Sequence, residues 1–171
     1  MSDQYCYPFT LDRAGIEAVL PHRGDIFACD RLVIHGTHSY TGYARWHSDN
    51  RILAGHFPGL PIVPGVLLIE GLAQLAGAGL LAGGDPYLKS LVGDWIGVLA
   101  SVRNCRFTSP VRPNVDVEFI IQCRQMGPLA VQVTASVSAA DVAVGQLEIL
   151  LAYASNEQIS AALQPVAVAA E

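Results

Sequence analysis

The fold class this sequence predicts is α+β, with one antiparallel β-sheet wrapped around a long central apolar helix. The first observation is an almost unbroken apolar run over residues 60–84, opened by Pro64-Gly65 and closed by Gly83-Gly84-Asp85-Pro86. Proline and glycine at those places start and stop a helix. The second is a change of period. After the run, Val115, Val117, Phe119, Ile121 and Cys123 alternate with mainly polar neighbours, as do Leu129, Val131, Val133, Ala135 and Val137. That is the pattern of half-buried strands. The third is that the helix is apolar on nearly every side, so it must be enclosed by other elements, and the strands can enclose it.

Each element follows in chain order. Residues 11–20 carry Leu11, Ile16, Val19 and Leu20 at helical spacing, and Pro21 ends that helix. Residues 28–34 and 39–47 read as two strands joined by the turn His35-Gly36-Thr37-His38. Residues 50–64 form a loop, and the long helix runs from Gly65 to about Ala82. Strands over 96–107, 115–124, 129–137 and 142–153 complete the sheet, with turns at Met126-Gly127-Pro128 and Ala139-Ala140-Asp141. A single domain over residues 1–171 is expected, with loose tails at about 1–10 and 158–171.

Composition narrows the function. With 171 residues, 51% hydrophobic and 15% charged, the chain can bury one core without metal or disulfide staples. A net charge of -5 argues against a nucleic-acid partner, which is held by a positive surface. Cys6, Cys29, Cys105 and Cys123 show neither C-x-x-C pairs nor matching histidine spacing, so no metal site or disulfide framework is expected and a reducing cytoplasm fits. The N-terminus has no basic stretch followed by an apolar run. The apolar run is long enough to span a membrane, but Glu70 and Gln74 sit in its middle. A charge at that depth costs roughly 2.5–3.5 kcal/mol, so no membrane partner is expected.

A carboxylate inside such a helix is conspicuous. Out of water, Glu70 must be paired, hydrogen-bonded or protonated, and burial favours the protonated form that suits a proton donor. A glutamate near a helix start, facing solvent, is the alternative. His56 stands in a proline-stiffened setting: Gly55 and Gly59 permit unusual backbone angles, and Pro58, Pro61 and Pro64 fix φ. Such rigidity holds a catalytic group in place. By contrast, His22, His35, His38 and His47 have no such setting and are expected to be structural. Gly65 offers a bare N–H at a helix N-terminus, where a carbonyl turning into an enolate can be polarised.

The motif G-H-F-P-G-x-P-x-x-P-G-V-L-x-x-E-x-x-A-Q, standing as Gly55 to Gln74, resembles the signature of 3-hydroxyacyl-[acyl-carrier-protein] dehydratases of the FabZ class, which have the hotdog fold. The likeness extends upstream to Leu20-Pro21-His22-Arg23 and Asp30-Arg31, and downstream to Arg106-Phe107, Pro110 and Pro113. It implies dehydration of a 3-hydroxyacyl thioester on an acyl carrier protein to the trans-2-enoyl thioester. His56 and Glu70 would be catalytic, and Gly65 the oxyanion donor. Gly59, Pro64, Val66 and Gln74 complete the implied substrate-binding set. The resemblance also implies a homodimer that shares its sites across the interface, and no metal or redox cofactor. Glu70 stands where the related dehydratase and isomerase class carries aspartate, which implies dehydration without isomerisation.

The chain departs from the family pattern in places. Gly24-Asp25-Ile26-Phe27-Ala28-Cys29 replaces an aromatic-rich stretch, and Gly71 stands where alanine is usual. Thr108 and Ser109 take positions that are usually basic, while Arg103, Arg106 and Arg112 gather nearby as a candidate docking patch for an acidic carrier. These departures leave both fatty-acid and polyketide-like synthesis open. An acyl thioesterase that uses Glu70 to direct water, and a non-catalytic acyl-binding subunit, are the alternatives; the former leaves His56 without a task.

Overall fold

The computed structural model describes residues 6–84 and 95–163. The sheet opens with Phe9–Asp12 (β1), which pairs antiparallel with Cys29–Gly36 (β2). Asp12 then caps the helix Arg13–Val19 (α1), its Oδ1 accepting from the Gly15 N–H at 2.8 Å. The helix therefore starts after residue 11, and Phe9 and Thr10 belong to the sheet rather than to a loose end. In a four-residue strand the alternation of Phe9 and Leu11 is too short to separate from the helical pattern that follows.

β2 forms a hairpin with Ser39–Ala44 (β3). Residues 50–64, expected as loop, contain a short helix, Arg51–His56 (α2), capped by the Asn50 Oδ1, which accepts from the Ile52 N–H at 2.9 Å. The long helix is Gly65–Ala82 (α3). The expected strand 96–107 divides into Trp95–Val102 (β4) and Arg106–Phe107 (β5), both paired with the last strand. The sheet continues with Val117–Gly127 (β6), Ala130–Ala139 (β7) and Val142–Ser155 (β8). Met126 and Gly127 thus extend β6 instead of forming its turn. Ala140 and Asp141, at φ 47° and 63°, make the tight turn between β7 and β8.

The chain then forms a further helix, Asn156–Ala162 (α4), where a loose tail from residue 158 was expected. A capping box starts it: the Ser155 hydroxyl accepts from the Gln158 N–H at 3.1 Å, and Gln158 Oε1 accepts from the Ser155 N–H at 2.9 Å. The remaining tail residues lie outside the described residues, as does the Asp85-Pro86 part of the expected helix stop.

The strand order is β1-β2-β3-β6-β7-β8-β4, with β5 added beside β8 and all pairings antiparallel. The sheet wraps α3, which touches β2, β3, β6, β7 and β8. Leu67, Leu68, Leu72, Leu75 and Leu80 are buried against it. Close approach to β3 depends on missing side chains: a Cβ at Gly42 would lie 2.6 Å from Leu75, and one at Gly79 2.6 Å from the Tyr40 ring. α3 is long and apolar enough to cross a membrane, yet it is mostly buried inside the protein, as the core helix of a wrapped sheet must be.

Candidate active site

The loop before α3 places the first functional groups. Val63 N–H donates to the Val111 carbonyl at 2.8 Å, which ties this loop to the segment after β5. Pro64 is the N-cap of α3, and its carbonyl accepts the first helical bond from the Leu67 N–H at 2.9 Å. The N–H groups of Gly65 and Val66, ahead of that bond, are left over for a ligand. Gly65 is needed for space: a Cβ there would lie 2.7 Å from the Phe107 ring. Gly59 is needed for its backbone, at φ +84° with no atom within 4 Å of an added Cβ. Gly55 lies inside α2 and has no such angle.

His56 ends α2 and stacks at a tilt on Phe57, with ring centroids 4.2 Å apart. Its Nδ1 lies 3.3 Å from the Ile62 carbonyl. A carbonyl only accepts, so that nitrogen carries the proton and Nε2 keeps a free lone pair. His56 lines a cavity of about 330 Å³ together with Gly65, Leu68, Phe107, Thr108 and Pro110.

Glu70 lies elsewhere. It is half-buried, with 28% of its side chain exposed, rather than enclosed as the apolar run implied. Its Oε1 accepts from Gln74 Nε2 at 2.8 Å. Gln74, only 2% exposed, also donates to the Ile26 carbonyl at 3.0 Å and accepts from the Cys29 thiol at 3.7 Å. Burial, reinforced by the charge of Asp30, pushes the Cys29 thiol well above its ordinary range. It therefore stays protonated and donates, which fixes the orientation of the Gln74 amide and hence its hold on Glu70. Glu70, Ala73, Gln74, Gly77 and Leu81 form one face of α3 and line a second cavity of about 160 Å³, closed by Leu20, Leu99 and Leu151. Gly65 and Glu70 are five positions apart, about 140° around a helix of 3.6 residues per turn. The two cavities therefore lie on different flanks of α3, and one chain does not bring His56 and Glu70 into one cavity.

The structure also places the remaining candidates. Val66 is 70% exposed beside the α3 N-terminus and lines neither cavity. Arg103, Arg106 and Arg112 are exposed, and Arg106 and Arg112 form no ion pair among the described residues. Gly71 makes room for Trp46, whose ring would lie 3.1 Å from an added Cβ, so its reason lies within the chain. Sequence reasoning missed Cys29, which shows no motif, and His22, whose Nε2 lies 3.8 Å from Glu70 Oε1. The signal for His22 was its place in Pro21-His22-Arg23.

A sheet wrapped around one long helix, with a histidine and a carboxylate flanking that helix, is the hotdog architecture. Residues 34–146 match the family model described as ApeI dehydratase, and the chain belongs to the ApeI-like dehydratase family. It is 35% identical over 145 residues to the 3-hydroxyacyl-[acyl-carrier-protein] dehydratase FabZ of Pseudothermotoga lettingae, covering 84% of this chain and 96% of the relative. It is 39% identical over 116 residues to the FabZ of Rhizobium rhizogenes, covering 67% and 70%. Among solved structures, the dehydratase heterocomplex ApeI:P from Xenorhabdus doucetiae superposes with a TM-score of 0.70 at 12% identity, over 88% of this chain and 97% of the other. A mutant of the fluoroacetyl-CoA-specific thioesterase FlK superposes with 0.52 at 13% identity, over 64% and 76%. At such identities these two likenesses concern the fold.

Proposed function

We propose that this enzyme removes water from a 3-hydroxyacyl thioester carried on an acyl carrier protein, giving the trans-2-enoyl thioester. The observation that carries this reading is His56, anchored through Nδ1 with Nε2 free, in one cavity with the bare N-terminus of α3. Nε2 takes the proton from C2, whose acidity comes from the adjacent thioester carbonyl. The Gly65 N–H holds the oxygen as it becomes an enolate. Glu70, held by Gln74, gives its proton to the departing C3 hydroxyl. The apolar wall of the Glu70 cavity receives the acyl chain. No step needs a metal or redox cofactor.

The two halves of the site meet across a homodimer. β4 ends the sheet, and Val98, Leu99 and Val102 on it are exposed, as is Val66 on α3. Pairing of such edges about a twofold axis buries this surface and brings His56 of one subunit to Glu70 of the other. The arginines receive an acidic carrier in the cytoplasm. The pathway is fatty-acid or polyketide-like synthesis, in which carrier-bound hydroxyacyl chains arise.

Mixed dimers test the shared site. His56→Ala and Glu70→Gln proteins, each inactive, are unfolded and refolded together in equal amounts. About half of the dimers are then mixed, each with one intact site, so about a quarter of the wild-type hydration of carrier-bound crotonyl thioester returns. No recovery, with mixed dimers seen by mass spectrometry, would refute sharing. Absence of turnover by the wild type on any carrier-bound chain would refute the activity.

A further inference from the structure

We propose that His22 is a further catalytic residue, which together with Glu70 cradles the oxygen that leaves C3; this rests on the dehydratase reading above. His22 Nε2 and Glu70 Oε1 are 3.8 Å apart, too far to bond each other. An oxygen about 2.8 Å from each fits between them, and that is an ordinary hydrogen-bond length. Both side chains line the same cavity, and each keeps about a third of its surface open, 32% for His22 and 28% for Glu70. The cradle is thus a notch in the wall of the acyl cavity, at its polar end.

The rest of the surroundings fixes which way His22 faces. Its Nδ1 is buried with no hydrogen-bond partner, so nothing in the protein holds a proton there. The tautomer with the proton on Nε2 is the one whose donor has acceptors in reach. The neighbouring cation does not compete. The Arg23 guanidinium is turned back on α1, donating to the carbonyls of Leu20 at 2.7 Å, His22 at 2.6 Å and Glu17 at 2.8 Å. That clamp closes the helix and sets the backbone from which His22 projects. Gln74 holds Glu70 from the α3 side, so the two prongs are positioned by different elements.

The chemistry balances without any new reagent. The C2–H bond breaks, and its proton goes to His56 Nε2 while its electron pair forms the C2–C3 double bond. The C3–O bond breaks with its pair on oxygen, which takes the proton of the Glu70 carboxyl and leaves as water. His22 donates Nε2–H to that oxygen while negative charge grows on it, and undergoes no net change. One donor aimed at developing charge acts on the transition state more than on the bound substrate, so kcat is affected and KM is not.

Three variants test this against carrier-bound 3-hydroxyacyl substrate, with melting curves recorded for each. His22→Ala is expected to lower kcat by about tenfold or more, with KM within about twofold. His22→Gln, whose amide nitrogen reaches the place of Nε2, is expected to recover most of the rate. His22→Asn, whose amide reaches only the place of Nδ1, is expected to behave like the alanine variant. Wild-type kcat in His22→Ala, or equal rates in the glutamine and asparagine variants, would overturn the cradle and leave the dehydratase reading intact. A wild-type protein without turnover would overturn both.

Discussion

His56 and Glu70 line different cavities of the same chain, on different flanks of α3. The separation follows from the helix itself. The motif that carries both residues crosses the N-terminus of α3, so the loop delivers His56 to the flank of Gly65 and Leu68, while Glu70 turns with Ala73 and Gly77 to the other. The site shared between two subunits, as proposed above, reconciles the short spacing in sequence with one reaction centre.

Replacing His56 by alanine is expected to leave a folded protein whose dehydration rate falls at least about 10²-fold, the low end for loss of a general base. Glu70→Gln should lose a similar factor without a lower melting temperature, because the amide oxygen can still accept from Gln74 Nε2. Steady-state rates and thermal melts on the same preparations decide both. A clear drop in melting temperature for Glu70→Gln would assign that residue to the fold.

Gln74→Met tests the support of Glu70. The substitution keeps the volume but strands the Cys29 thiol and the Ile26 carbonyl, at a cost of about 1–3 kcal/mol for unsatisfied buried groups. Both a lower denaturation midpoint and a lower kcat are expected. Unfolding and kinetics that match the wild type would show that Glu70 needs no such hold.

Charge reversal at Arg106 and Arg112 separates docking from catalysis. Turnover of a carrier-bound chain should fall and lose much of its salt dependence, while turnover of a small N-acetylcysteamine thioester changes little. Equal losses on both substrates would place these arginines in the service of the fold.

The buried Cys29 and the half-buried Cys123 give a pH prediction. Burial pushes Cys123 up to about 12 from an ordinary value of 9.0, and Cys29 higher still. Both groups are neutral in the folded chain at a pH where the unfolded chain has begun to ionise. Their contribution to stability is therefore whole below about pH 9 and is lost as pH rises through the folded values. Denaturant midpoints measured from pH 8 to 11 should fall, and a Cys29→Val, Cys123→Val variant should fall less. In the native state at pH 8, a thiol reagent should modify the exposed Cys6 far faster than Cys29 or Cys123.

The sequence by itself determined the wrapped sheet and its central helix, and it marked His56, Gly65 and Glu70 as candidate groups. Those signals are local: the alternation from Val117 to Cys123, the proline and glycine that open α3, and the spacing of His56, Gly65 and Glu70. It also held signals that went unread, the Ser155-x-x-Gln158 capping box and the Asp12 cap among them, because each is short and lies beside a stronger pattern. Tertiary structure alone decided the rest. That Gly71 accommodates Trp46, that Cys29 orients Gln74, that His22 comes within 3.8 Å of Glu70, and that His56 and Glu70 part to different flanks are matters of which elements meet. Contacts between residues so far apart in the chain are set by packing of the sheet on α3, and no periodicity along the chain encodes them.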